Sequence, residues 1–341
     1  MKPLDLLYIP LSWCYALGVS VRHILYDEHI LPSHSVDIPT ICVGNLAVGG
    51  TGKTPHVEYL LRLLSRHYKV AVLSRGYKRK THGFAIADAS SNASTIGDEA
   101  MQIHSKFPDI PIAVCEDRVK GVRLLQKRIE GLQVVILDDA YQHRSIRCGY
   151  YIFLTPCNQL YIDDHLLPWG RLRDLKTQAQ KANMVVVTKC PDEMRPIDHR
   201  VIENRLQLAS FQHVYFSHIR YGEIARQGRP LVITGIAQTD YLMEHLRRQF
   251  PKAELMAFSD HHAFTPADIK RIEKRAQHFD FVLTTEKDYQ RFLLTPLPER
   301  LGDRLQTIPI EVDWRDQQSD FEQAILAYVR NARRKVIMNK E

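Results

Sequence analysis

The sequence predicts an α/β protein: a mostly parallel sheet flanked by helices, followed by a second, smaller α/β unit. Two observations predict it. Short apolar runs at 38–44, 69–77, 110–118 and 132–143 alternate with segments of helical period, the pattern of parallel strands joined by right-handed crossovers. After "DEMRPIDHR" the alternation restarts, with new runs at 230–238, 278–288 and 305–312. A chain of 341 residues is long enough for two such units.

The first segment, residues 6–21, is uncharged for 16 positions. That is shorter than the ~20 apolar residues of a membrane-spanning helix, and Pro10 and Gly18 interrupt it. Two readings stand. One is a helix lying in a membrane interface, with Tyr8, Trp13 and Tyr15 at headgroup depth and Arg22 and His23 at its end. The other is a core helix packed on the sheet. A secretory signal fits less well, because Asp5 intrudes and a Gly-rich loop follows.

"IPTICVG" (38–44) reads as a buried strand, and Thr54 to His67 as a helix with apolar residues at 57, 60, 61 and 64. "KVAVLSRGY" is a second strand. "TIGDEAMQIHSKF" opens a helix with acids in its first turn, where the helix dipole favours them. "IPIAVCEDR", "LQVVILDDAYQH", "YIFLTP" and "MVVVTKC" continue the sheet, with the helix "RVKGVRLLQKRI" between. "HVYFSHIRYGEI" alternates like an exposed ribbon. The expected division is an N-terminal segment 1–30, a larger domain 31–215, and a smaller domain with its linker ribbon, 216–341.

Composition is that of a folded globular protein, 45% hydrophobic and 25% charged, which excludes a disordered chain. The formal net charge of +7 permits an anionic partner without naming it. Six cysteines lie far apart with no C-x-x-C, which argues against zinc. They read as reduced, mostly buried cysteines of a cytoplasmic protein.

"GNLAVGGTGKTPHVEYLL" (44–61) is a phosphate-loop candidate, placed between a strand and a helix as such a loop requires. Ala47, Val48, Gly49, Gly50, Thr51, Gly52, Lys53 and Thr54 would form the nucleotide cradle. The glycines free backbone N–H groups, Lys53 meets the β- and γ-oxygens, and the Thr54 hydroxyl suits Mg²⁺. Ala47 stands where the pattern has Gly. "VVILDDAYQHR" ends a strand in Asp138 and Asp139, and a carboxylate doublet at a strand tip calls for a cation. A GTPase would carry D-x-x-G there, but Tyr141 occupies the Gly position. Partition ATPases carry Lys where this chain has Val48. The fold expected is therefore of the P-loop NTPase type, with neither of those two activities.

"VGNLAVGGTGKTP", "SRGYKRK", "GDEA", "EDRVKGV", "LDDAYQHR", "LPWGRLRD", "VVTKC", "FSDHHAF" and "TTEKD" occur in this order. The ordered set resembles the tetraacyldisaccharide 4'-kinase family, the lipid A 4'-kinases of Gram-negative bacteria, over nearly the whole chain to about residue 290. Ala140–Tyr141 stands where Gly–Phe is commoner, and Trp169, Arg171 and Asp174 depart from the usual residues of their segment.

The resemblance implies a membrane-associated kinase with a larger phosphate-loop domain and a smaller domain joined by a β-ribbon. It implies transfer of the γ-phosphate of ATP, with Mg²⁺, to the 4'-hydroxyl of a tetraacyldisaccharide 1-phosphate in lipid A biosynthesis. Asp98 and His261 are implied as the pair handling the hydroxyl proton, with Lys53 the third catalytic candidate. Thr54, Asp138 and Asp139 are the Mg²⁺ candidates, with Glu99 as a further organiser. Arg75, Arg118, His143, Arg171 and Arg173 are candidates for substrate or ATP phosphates. A bilayer-borne acceptor tips the N-terminal helix towards membrane contact, at the cytoplasmic face of the inner membrane. A kinase acting on a soluble metabolite and a nucleic-acid-binding module are the alternatives. The latter lacks interleaved aromatic and basic strand residues, a helix-turn-helix or a finger. Neither nucleic acid nor an obligate protein partner is expected.

Overall fold

The computed structural model describes residues 5–237 and 239–338. The first four residues of the expected N-terminal segment and the last three of the smaller domain lie outside the described residues. The chain begins with α1 (Asp5–Asp27), β1 (Thr40–Gly44), α2 (Lys53–Ser65), β2 (Val70–Ser74) and β3 (Ala85–Ile86). Then come α3 (Ala93–Ile96), α4 (Asp98–Lys106), β4 (Ile112–Val114), α5 (Arg118–Arg128), β5 (Val134–Asp138), β6 (Tyr150–Pro156) and β7 (Met184–Thr188). α6 (Pro196–Leu206), β8 (His213–Phe216) and β9 (His218–Tyr221) lead to the second unit. That unit holds β10 (Pro230–Thr234), α7 (Asp240–Gln249), β11 (Glu254–Ala257), α8 (Pro266–Ala276) and β12 (Phe281–Thr285). It continues through α9 (Glu286–Phe292), α10 (Leu297–Leu301) and β13 (Leu305–Ile308), after which β14 (Ile310–Asp313) and α11 (Gln318–Met338) close the chain.

The main sheet has eight strands in the order β3-β4-β2-β5-β1-β6-β7-β8, and only β3 runs antiparallel. Side chains alternate between its faces as a strand's period of two requires. Ile41, Val43, Val70, Val72, Val134 and Ile136 face one core, which α2, α4 and α11 complete. Cys42, Ala71, Leu73, Val135 and Leu137 face the other, under α5. The second sheet is fully parallel, β11-β10-β12-β13, with its own core on each face.

Three elements differ from the sequence reading. The predicted ribbon divides: β8 joins the main sheet beside β7, and β9 pairs antiparallel with β14. The run 305–312 is two strands, because Pro309 lies between β13 and β14 and has no N–H to continue a ladder. The helix read through "TIGDEAM" breaks at Gly97, whose φ of 90° favours glycine and starts α4 afresh at Asp98.

The C-terminal helix packs on the first unit. Phe321, Ile325 and Val329 of α11 are buried in the main core, and Trp314 stacks on Phe321 at 3.8 Å while meeting His56 and Tyr59 of α2 edge-on. The last stretch of the expected smaller domain is thus part of the larger one's packing. All six cysteines are free; Cys42, Cys115 and Cys190 are buried and Cys14 is exposed. Among the described residues no helix is long and apolar enough to cross a membrane.

Trp314→Ala should destabilise the chain by about 3–5 kcal/mol, the usual range for emptying a buried tryptophan site. A shift of the urea midpoint measures it, and an unchanged midpoint would show that α11 is not integral to the first unit.

Candidate active site

Strand pairing explains why the loop and the acid doublet meet. β5 lies directly beside β1, with Val43 opposite Asp138. The phosphate loop leaves the tip of β1, and the doublet caps the tip of β5. The loop is held from within: Asn45 Nδ2 donates to the Ala47 carbonyl (2.7 Å) and to Thr51 Oγ1 (2.8 Å), and Thr188 Oγ1 donates to the Thr51 carbonyl. Gly49 and Gly52 adopt φ of 106° and 89°, which only glycine does at little steric cost. Thr54 is half-buried in the first turn of α2, next to Lys53.

The two aspartates have different surroundings. Asp139 receives both arms of the Arg173 guanidinium and lies 3.8 Å from Lys53 Nζ. Despite burial, those cations hold its carboxyl well below the usual range. Asp138 is fully buried, and neither carboxylate oxygen has a hydrogen-bond partner. Burial, followed by the charges of Glu99 and Asp139, pushes its pKa up to about 7. A buried carboxylate without partners needs a cation or a proton, so the donor set fits a metal ion at Asp138. Among the described residues no group of three His, Cys, Asp or Glu side chains forms a complete metal cage.

Asp98 and His261, 163 positions apart in sequence, come together. His261 Nδ1 lies 2.9 Å from Asp98 Oδ2, joining the first turn of α4 to the turn after β11. Asp98 Oδ1 accepts the Glu99 N–H, and Arg291 Nε approaches Oδ2 at 3.4 Å. Burial would raise the Asp98 carboxyl, but the His261 bond and the charges of Lys287 and Arg291 bring it below the ordinary value. His261 itself has φ 55° and meets the ring of Tyr77 at 5.1 Å. Its neighbour His262 turns away, to Asp268 at 3.0 Å.

The basic candidates separate. Arg173 enters the site, also donating to Asn45 Oδ1 at 2.7 Å. Arg171 donates to Asp164, and its carbonyl accepts the Val48 N–H, so residues 171–173 run alongside the start of the loop. Arg118 is wholly buried and donates to the carbonyls of Cys115 and Asp138. It is not brought to the open site; it braces the tips of β4 and β5 from beneath. Arg75 is exposed, close enough to His143 for its charge to act there. Burial first, then Arg118 and Arg75, push His143 down to about 4.

Sequence reading missed several groups. "TTEKD" caps β12 with a row of ionic contacts to the first unit: Glu286 to Lys106 at 2.5 Å, and Lys287 to Glu99 at 3.0 Å. Burial alone would lower the Lys287 ammonium's pKa, but Glu99, Asp98 and Asp260 outweigh it and hold it above its usual value. Asp288 accepts from Thr234, Thr285 and the Gly235 N–H, which fixes this turn. Lys189, of "VVTKC", brings Nζ within 3.8 Å of the place a Gly50 Cβ would take. A charged motif at the end of an apolar strand was the available signal in both cases.

α1 shows two faces. Inward, Ser12 Oγ donates to the Leu166 carbonyl, Tyr15 to the Arg173 carbonyl, and Arg22 to the Gln142 carbonyl. His23 Nε2 lies 2.5 Å from buried Asp174. Arg144 carries only donors, so the His23 Nδ1 it meets at 2.9 Å accepts, and Nε2–H faces Asp174. Outward, Leu11, Trp13, Leu17, Val21 and Ile24 are all exposed, Trp13 by 70%.

A phosphate loop beside a strand-tip acid, facing an Asp–His pair completed by a second α/β unit, defines a two-lobed nucleotide-dependent phosphotransferase. Comparison with known proteins narrows the class. The family described as Tetraacyldisaccharide-1-P 4'-kinase (LpxK) matches residues 4–330, and this chain belongs to that family. Tetraacyldisaccharide 4'-kinase of Bacteroides fragilis (strain YCH46) is 43% identical over 346 residues, covering 94% of this chain and 92% of that protein. The enzyme of the same name from Flavobacterium johnsoniae is 41% identical, covering 97% and 98%. A crystal structure of LpxK from Aquifex aeolicus in complex with ATP superposes with a TM-score of 0.72 at 25% identity, covering 94% of this chain and 98% of that one.

His56 supplies a pH test. It is buried on α2, donating Nδ1–H to the Gly52 carbonyl and accepting at Nε2 from Ser217. Burial pushes it down to about 4, against about 6.5 in an unfolded chain. The unfolded state therefore binds more protons between these values, and stability falls as pH drops from about 6.5 towards 4, by up to about 3 kcal/mol in all. His56→Gln should flatten that part of the curve of unfolding midpoint against pH; an unaltered slope would assign the dependence elsewhere.

Proposed function

We propose that this chain transfers the γ-phosphate of ATP to the 4'-hydroxyl of a tetraacyldisaccharide 1-phosphate, a step of lipid A biosynthesis. The 2.9 Å contact between Asp98 and His261, one from each unit, carries the reading. Phosphoryl transfer asks chiefly for positioning and for neutralised charge. The phosphate loop, 47–54, would hold the triphosphate by its backbone N–H groups, with Lys53 on the β- and γ-oxygens. Thr54, Asp138 and Asp139 would hold Mg²⁺, with Glu99 nearby; the ion would neutralise charge on the phosphates. Arg173 anchors Asp139 and closes the wall of the loop. Asp98 accepts the proton of the attacking hydroxyl, and His261 orients its carboxylate. Arg75, Arg171 and His143 remain the candidates for the acceptor's 1-phosphate.

The two faces of α1 support membrane contact. Its inward polar contacts dock it beside residues 164–174, and its outward apolar stripe suits the interface of the cytoplasmic face of the inner membrane, where a tetraacylated acceptor resides.

Two experiments test the proposal. With γ-labelled ATP, Mg²⁺ and the lipid disaccharide 1-phosphate in detergent, label should appear in the lipid. Lys53→Ala should lower transfer about a hundredfold or more. Asp98→Asn should lower kcat by roughly 10²–10⁴ while leaving KM for lipid within a few-fold. Label that never enters the lipid refutes the assigned acceptor, and an Asp98 effect confined to KM would make it a binding group. Second, replacing Trp13, Leu17 and Val21 together by Ser should reduce co-sedimentation with anionic phospholipid vesicles by roughly tenfold, with unfolding unchanged. Equal sedimentation would place the membrane contact on another surface.

A further inference from the structure

Lys287 stands at the centre of the contact between the two units. Its Nζ lies 3.1 Å from His261 Nε2, 3.0 Å from Glu99 Oε1 and 4.0 Å from Asp260 Oδ1. An ammonium has three donors and no acceptor, so the imidazole nitrogen it meets must offer its lone pair. That assigns the ring: Nε2 accepts from Lys287, and Nδ1 carries the hydrogen that faces Asp98 at 2.9 Å. The lysine is held on a rigid base. Its neighbour Asp288 is fully buried and accepts from Thr234, Thr285 and Gly235.

We infer that Lys287 is the positioning residue for His261: it fixes the Nδ1–H tautomer and the ring orientation that presents a donor to Asp98, and it ties that ring to Glu99 of the opposite unit. This rests on the reading of Asp98 and His261 as the proton-handling pair. Without Lys287, the Nε2–H tautomer would set an Nδ1 lone pair against the Asp98 carboxylate, two acceptors face to face, and a flipped ring would set Cδ2–H there instead. The carboxylate would then lose the orientation in which it meets the sugar hydroxyl. Lys287 touches neither the transferred phosphate nor the hydroxyl in this account; it acts through the imidazole.

A second bridge between the units supplies the control. Lys106 Nζ joins Glu58 at 2.7 Å and Glu286 at 2.5 Å without reaching His261. If Lys287 merely held the units together, Lys106→Ala and Lys287→Gln would have the same effect.

The test uses the full chain with ATP, Mg²⁺ and the lipid acceptor. Lys287→Gln, whose amide is shorter and neutral, should lower kcat about 10- to 100-fold with both KM values within about threefold, and Lys287→Arg, which keeps a charged donor of sufficient reach, should recover most of the loss. Added to His261→Gln, the Lys287→Gln change should cost less than about a further threefold, because the group it acts through is gone. Lys106→Ala should keep kcat within about threefold of the parent. Additive losses in the double variant, or equal losses for the Lys106 and Lys287 variants, would overturn the inference and leave the Asp98–His261 reading standing. Full activity in His261→Gln would instead remove the pair itself, and this inference with it. A further measurement does not depend on a Lys287 variant folding. In protein labelled with ¹⁵N-histidine, the His261 signals, identified by their loss in His261→Gln, should show a protonated Nδ1 and an accepting Nε2. An Nε2–H or mixed tautomer in the parent protein would refute the assignment.

Discussion

The site exists only where two separately built units touch, and the touching groups are charged. Asp98, Glu99 and Lys106 come from the larger unit; His261, Glu286, Lys287 and Arg291 come from the smaller one. An apolar seam would fix the units in one relation, as a domain core does. Ion pairs exchange water for partners at modest net gain. Asp98 lies on the larger unit and His261 on the smaller one, so their contact exists only while the two units meet.

The first helix, α1, also has two faces, with an apolar stripe outward and polar contacts inward. Here His23 and Asp174 make a buried polar contact, while the Tyr15 hydroxyl reaches the Arg173 carbonyl. Arg173 in turn anchors Asp139 and Asn45 beside the phosphate loop. The helix that presents Trp13 and Leu17 outward is therefore part of the wall of the nucleotide site. The uncharged run left both an interfacial and a core reading of this segment open, because which of its polar residues find buried partners depends on chain some 150 residues away.

Much of the fold was legible in the sequence because it depends on local pattern. The strands β1, β2, β4 and β5 announce themselves as apolar runs, and the loop after β1 carries its own glycines. Where several choices competed, pattern failed. β8 and β9 read as one ribbon because alternation cannot tell which sheet a strand will join. The return of α11 to the first unit left no local mark, since its buried residues Phe321, Ile325 and Val329 would suit either core. At the site, residue type identified Lys53, Asp138 and Asp139, whereas the Asp98–His261 pair came only from a resemblance. The role of "TTEKD" required coordinates, because its partners lie some 180 positions away in sequence.

The doublet at the tip of β5 shows how a single strand end can do two jobs. Asp139 has φ 49°, a left-handed conformation that short polar residues tolerate better than most. That turn sends the two carboxylates into different surroundings. One is neutralised by Arg173 and a loose 3.8 Å contact with Lys53; the other is sealed from water with both oxygens unpaired. A contact of that length, between partly exposed side chains, is weak, whereas Arg173 balances the carboxylate with two hydrogen bonds. No cation donates a hydrogen bond to the Asp138 carboxylate, although the charges of Lys53 and Arg118 act on it, and its two unpaired oxygens suit a cation. The division separates a carboxylate paired with Arg173 from one whose oxygens are unpaired, a distinction that two adjacent identical letters in a sequence cannot express.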